Sequence, residues 1–161
     1  MAILDLNKAI EHLRSHAHKE SIHLCATYVK QALAAGGLPY LSGSDGVDVG
    51  AHYEKAYGFK RVNLKQNGKN FIGMVAGDIC SISVKHHNKG HACMYDGYKW
   101  ISDFKQGNCI PYSLSTVNWA RVWRWKDIPG DFNIPPEDNA ASGSISNDGI
   151  SEGGGVGSGP S

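Results

Sequence analysis

The sequence predicts an α+β fold, helices first and an antiparallel sheet after them. Three observations carry that expectation. Up to about residue 58 the apolar residues recur at helical spacing. Beyond it the period falls to two, in "GDICSISV" and "ARVWRWK". Between those stretches, "HACMYDGYKWISDF" frames an Asp-Gly pair with apolar alternation on both sides, a hairpin signal.

Taken in order, Ile3, Leu6, Ile10 and Leu13 form one stripe of a first amphipathic helix over 3–16. A second helix starts near Ser21, a favoured N-cap, and stops at the Gly36-Gly37 pair, which can turn left-handed. Residues 39–50, rich in Gly, Ser and Asp, read as a loop. "AHYEKAYGF" reads as a short third helix closed at Gly58. "KRVNLK" and "NFIGMVA" lean towards strand, and "ARVWRWK" reads as a closing strand.

The 161 residues suffice for one domain with a proper core, assigned to residues 1–134. From residue 135 to 161 large apolar side chains almost vanish and Gly and Ser dominate, which predicts a flexible tail. A net charge of +1 with interspersed signs argues against nucleic acid as a ligand. Neither a signal peptide's apolar run nor a bilayer-spanning stretch is present, so the expectation is synthesis in the cytoplasm, no membrane insertion, and export by some route other than a cleaved leader. Cys25, Cys80, Cys93 and Cys109 form no C-x-x-C pair, and the default is four free thiols with no metal and no cofactor.

Cys25 admits two readings. On a helix it shares a face with Ile22, Ala26, Val29 and Leu33, as a small core residue does. It also falls within about a turn of a helix start, where free N–H groups and the dipole favour a thiolate and could hold an oxyanion. A nucleophile needs a base, and the base an orienting partner. Of eight histidines, four crowd the first two helices, His52 precedes the third helix, and His86 and His87 fall in a loop. His91 opens the hairpin strand, a rigid mount. On the returning strand, a two-residue turn would set Ser102 opposite His91, and a three-residue connection would set Asp103 there. Chemistry favours Asp103, since a carboxylate fixes the tautomer and stabilises imidazolium.

Gly77-Asp78-Ile79 opening one strand, Gly90-His91-Ala92-Cys93-Met94-Tyr95 opening the next, and Asp103 beyond the hairpin resemble the papain-like NlpC and CHAP superfamily of cell-wall hydrolases over about residues 20–106. The resemblance implies a papain-like fold, with N-terminal helices packed on the sheet, and a Cys25–His91–Asp103 thiol mechanism that cleaves an amide of the peptidoglycan peptide stem. Tyr28, one turn after Cys25, would then face substrate. A compact domain of this kind resembles antibacterial amidase effectors of type VI secretion, which act in the target cell's periplasm and meet a cognate immunity protein. A phage-type lysin, a transferase and a non-catalytic wall- or partner-binding module on the same fold are the competing readings. A metal site from His86, His87, His91 and Cys93 is disfavoured, because a loop pair and a strand pair close a tetrahedron poorly. Trp119, Arg121, Trp123 and Trp125 alternate on one strand face, which suggests core packing more than a sugar-stacking platform.

Overall fold

The structure, a computed structural model, describes residues 3–127 and 134–137. The expected tail, 135–161, lies outside the described residues apart from 135–137. Helix α1 spans Leu6–His16, capped by the Asp5 carboxylate, which accepts from the Lys8 amide at 3.1 Å. Its stripe of Leu6, Ala9, Ile10 and Leu13 is buried, whereas Ile3 lies before the helix and is exposed. Helix α2 spans Cys25–Ala35 and α3 spans Val49–Tyr57, the latter led by a 3-10 turn at Gly46–Asp48. Gly58 ends α3 in the left-handed conformation, φ 81°, as the sequence predicts. No helix among the described residues is long and apolar enough to cross a membrane.

Seven strands follow among the described residues: β1 Lys60–Val62, β2 Lys65–Asn67, β3 Asn70–Ile72, β4 Ile79–Val84, β5 His87–Tyr95, β6 Trp100–Ile101 and β7 Val117–Arg124. Five of them make an antiparallel sheet in the order β1-β7-β4-β5-β6, and β2–β3 form a separate hairpin. The architecture is α+β, as the change of period predicts.

Strand alternation sorts the core onto two sides of the sheet. Ile79, Ala92, Met94, Trp123 and Trp125 meet the helices, packing with Ile10, Leu13, Val29 and Leu33. Cys80, Ile82, Cys93 and Val122 face the other way, covered by Phe71, Trp100, Cys109 and Ile110. Trp123 and Trp125 are therefore core residues; Trp123 lies over Gly50, where an added Cβ would come within 2.0 Å of its ring, and donates to Glu54 at 2.7 Å. Trp119 is half-buried and stacked by the Arg121 guanidinium, 4.1 Å from its centroid.

The hairpin departs from both registers considered above. Met94 pairs with Ile101 and Tyr95 with Trp100, so four residues, Asp96–Lys99, make the connection. The Asp96 carboxylate accepts from the amides of Tyr98 and Lys99 and pairs with Arg14 at 2.8 Å, which is why the turn is wider than Asp-Gly alone suggests. Residues 134–137 lie against this loop: Tyr98 donates to the Ile134 carbonyl, Arg14 to the Pro135 carbonyl, and Glu137 pairs with Lys105.

Candidate active site

Cys25 is the first residue of α2, closer to the helix start than a Ser21 cap would place it. Leu24 occupies the N-cap position and supplies no side-chain bond. The capping group comes from across the molecule. Asp103 Oδ2 accepts from the amides of Ile22 (2.7 Å) and Leu24 (3.1 Å) and from the Ser21 hydroxyl (3.1 Å). Ser102 donates to Oδ1, and the Asp103 carbonyl accepts from the His18 amide at 2.8 Å. Burial pulls the Asp103 carboxyl upward, but the Leu24 and Ile22 amides with the Ser102 and Ser21 hydroxyls outweigh it and hold the pKa below the usual value. Asp103 thus ties segment 18–24 to the chain that follows β6. His23, inside that segment, takes a left-handed φ of 64°.

His91 sits on β5, buried, on the sheet face away from the helices. Its Nε2 pairs with Gln106 Oε1 at 2.8 Å. Gln106 Nε2 in turn donates to the carbonyls of Asn108 (2.8 Å) and Cys109 (3.0 Å), so its oxygen must be the end that meets the ring. The proton therefore belongs on Nε2, leaving Nδ1 as the basic nitrogen. Phe104 and Tyr112 wall the imidazole, with centroids 6.3 and 5.6 Å from it. After Ile101 the chain folds back on itself, Ile101 bridging Lys105 and the Gln106 backbone amide donating to the Trp100 carbonyl at 3.0 Å, and this return carries Phe104 and Gln106 to the imidazole.

The two halves meet where β5 is unpaired, since β6 covers β5 only at Met94 and Tyr95. There the backbone N–H groups of Ala92, and of Ala26 and Cys25 at the helix start, favour the Cys25 thiolate. Burial nevertheless dominates and pushes the thiol above 9.0, with Asp103 adding to the rise. No thiol–imidazole hydrogen bond is among those described; the sulfur lies against the residue that follows His91. Burial also holds His91 below 6.5, against the opposing pull of Gln106 and Asp103. Both partners rest neutral. Tyr112 is raised to about 12, by burial and then by Cys25.

Glycines make the approach possible. Gly90 has φ 65°, and a Cβ there would lie 2.3 Å from the Ile82 carbonyl. A Cβ on Gly46 would lie 2.6 Å from the His91 backbone. The Gly-His pair is thus a packing requirement of the strand that carries His91. In the Gly-Asp pair, Asp78 is buried, held by Arg124 at 2.8 Å and the Val75 amide at 2.9 Å, and braces the start of β4.

Of the residues anticipated from sequence, Cys25 and His91 come to the same edge of β5, whereas Asp103 bonds the nucleophile's loop and Gln106 takes the imidazole. Tyr28 stands at the rim, half-buried, its hydroxyl 3.0 Å from His18 Nε2. His86, at the β4–β5 turn, and His87, at the start of β5, are exposed, whereas His91 is buried. Gln106 and Tyr112 carry no sequence signal of their own; only the return of the chain after Ile101 could have singled out Gln106.

No protein-family model matches the chain, and no curated protein matches it. Solved structures do. A chain of the type VI native effector–immunity complex Tae3–Tai3 from Ralstonia pickettii aligns with a TM-score of 0.57 at 25% identity, over 75% of this chain and 98% of that one. A chain of the selenomethionine form of the type VI Tae3–Tai3 complex from the same organism gives 0.58 at 28% identity, over 71% and 97%. The α+β architecture described above is the papain-like fold.

Proposed function

We propose that the protein is a cysteine amidohydrolase of the peptidoglycan peptide stem, delivered as a type VI effector and neutralised by an immunity protein. The observation that carries the chemistry is the Gln106–His91 bond, because it leaves Nδ1 free as a base on the strand edge where the Cys25 sulfur lies. The likeness to chains of type VI effector–immunity complexes supports the delivery and the partner.

His91 Nδ1 takes the thiol proton as Sγ bonds the carbonyl carbon of the scissile amide. The oxyanion faces amides at the α2 start, where the dipole adds to them. The tetrahedral centre collapses, breaking the C–N bond, and imidazolium protonates the departing amine. Water deprotonated by His91 then attacks the thioester, and the sulfur leaves with a proton. Gln106 keeps the ring in one tautomer throughout, and Asp103 keeps Cys25 at the strand edge. Tyr28 and His18, bonded to each other at the rim, offer contacts to the stem. Exposed Ile22 and Leu24 give the same rim an apolar surface for a partner that blocks it.

Purified sacculi incubated with wild type and with Cys25→Ala, with fragments separated by mass, test the reading. Expected is stem cleavage by wild type alone, the masses naming the bond. Fragments from both proteins would remove Cys25 from the chemistry, and fragments from neither would favour a wall- or partner-binding module.

A further inference from the structure

The mechanism uses one of the four cysteines. The other three gather on the opposite side of β5. Cys80 and Cys93 are directly paired across β4 and β5, Cys109 comes from the loop that holds Gln106, and all three are fully buried. Their sulfur atoms lie within 4.8 Å of one another, in a wall of Phe71, Ile82, Trp100, Ile110 and Val122. We propose that Cys80, Cys93 and Cys109 form a binding site for one soft monovalent cation, Cu(I), held by three sulfurs.

The ligand count selects the ion. Structural zinc takes four ligands, and cysteine-held iron–sulfur clusters also take four. Among the described residues no fourth His, Cys, Asp or Glu joins this group. Thiolates select Cu(I) among the soft metals, and three of them satisfy it. The Cys80 thiol donates to the Ser81 carbonyl at 3.8 Å and the Cys93 thiol to the Cys109 carbonyl at 3.5 Å. On binding, each sulfur releases its proton to solvent: one Cu⁺ and three thiols become one Cu(SR)₃²⁻ unit and three protons. The site is independent of the hydrolase reading, although Gln106 touches both.

The test loads the reduced full chain with Cu(I) under anaerobic conditions, by incubation and by refolding in its presence, and competes the ion with bathocuproine disulfonate. Expected is one retained ion per chain in wild type and in Cys25→Ser. Cys80→Ser, Cys93→Ser and Cys109→Ser should each lose more than about 100-fold in affinity, beyond what loss of a supporting contact produces. Cys109 lies on a loop, so its variant is the one that best keeps the fold, checked by near-ultraviolet circular dichroism. X-ray absorption of loaded wild type should show three sulfurs and no nitrogen around copper, a readout that needs no variant. No retained ion, loss of the ion in Cys25→Ser, undiminished affinity in the three serine variants, or two sulfurs around copper would each overturn the site. So would tighter Zn(II) with a tetrahedral spectrum after Co(II) substitution.

Discussion

Segment 18–24, which delivers the nucleophile, is held largely by one side chain, whereas His91 is held by a net. Asp103 alone gathers the Ile22 and Leu24 amides and the Ser21 hydroxyl. On the other shore, His91 is fixed by Gln106, which is fixed by the Asn108 and Cys109 carbonyls, and these in turn by Asn70. Asn70 accepts from the Cys109 amide at 3.0 Å and donates to the Asn108 side chain at 2.9 Å. The contrast teaches where each residue's loss should register. Damage on the His91 shore should fall on rate, because the net survives it, and damage at Asp103 should fall on stability, because its carboxylate holds three donors of the segment at once.

Removing the sulfur gives the largest effect. Cys25→Ala should lower the rate of stem cleavage at least about 10⁴-fold, since nucleophile and base act as a unit. The half-buried site should keep Tm within a few degrees. Residual cleavage within tenfold of wild type would show that the Cys25 sulfur is not the nucleophile.

Gln106→Ala comes next. Without the amide oxygen the imidazole loses its tautomer and its tether, and a loss of about 10²-fold or more in kcat is expected. Asn70 keeps the Cys109 amide and the Asn108 side chain, and the Cys109 carbonyl keeps the Cys93 thiol, so thermal unfolding should change less than the rate does. A large fall in Tm with kcat preserved would make Gln106 a purely structural residue.

Asp103→Asn should reverse that pattern. An amide retains volume but turns donor groups towards donors, leaving buried N–H groups unpaired at about 1–3 kcal/mol. The sign with pH follows from the depressed carboxyl. Its stabilisation is complete above the unfolded value, ~3.9, and is lost as pH falls through the lower folded value. The gap in stability between wild type and Asp103→Asn, measured by urea unfolding, should therefore be full at pH 7 and shrink below about pH 4. A gap that widens on acidification would show that Asp103 does not act as a bound carboxylate.

These roles mark the limit of what the sequence discloses. The helices and strands are legible because Leu6, Ile10 and Leu13, or Ile79 and Cys80 with their neighbours, repeat with the period of their own backbone. Cys25 and His91 are legible because a thiol at a helix start and a ring at a strand start are local features. The division of labour between Asp103 and Gln106 is not local. It depends on a turn of four residues, set by Asp96 capping two amides and pairing with Arg14 from α1, a partner 82 positions away. It depends too on the chain folding back after Ile101, with Ile101 bridging Lys105, which carries Gln106 to the imidazole and leaves Asp103 to segment 18–24. Nothing in "ISDFKQ" itself says so, and the three-thiol cluster is hidden for the same reason.

Gly90→Ala tests the packing of the His91 shore with a smaller change. The new Cβ would need a left-handed φ and would meet the Ile82 carbonyl, so about 1–3 kcal/mol of stability should go. Because Gly90 adjoins His91, activity should fall with it. Wild-type stability in this variant would mean that strand β5 yields easily there, and that the net is looser than its hydrogen bonds imply.

The subtlest effect lies in the pH profile of kcat/KM. With the thiol held above 9.0 and the imidazole below 6.5, both neutral at rest, catalysis requires only that His91 be unprotonated. Activity should rise through a midpoint below 6.5 and stay level towards pH 9. A resting thiolate–imidazolium pair would behave differently, since protonating the thiolate on one side and deprotonating the imidazolium on the other would give a bell. Asp103 and Gln106 both raise the His91 value at present, so Asp103→Asn and Gln106→Ala should each move the acid limb to lower pH. If those limbs move to higher pH, or if wild type loses activity between pH 7 and 9, the neutral pair is the wrong description of the site, and burial does not govern its charge.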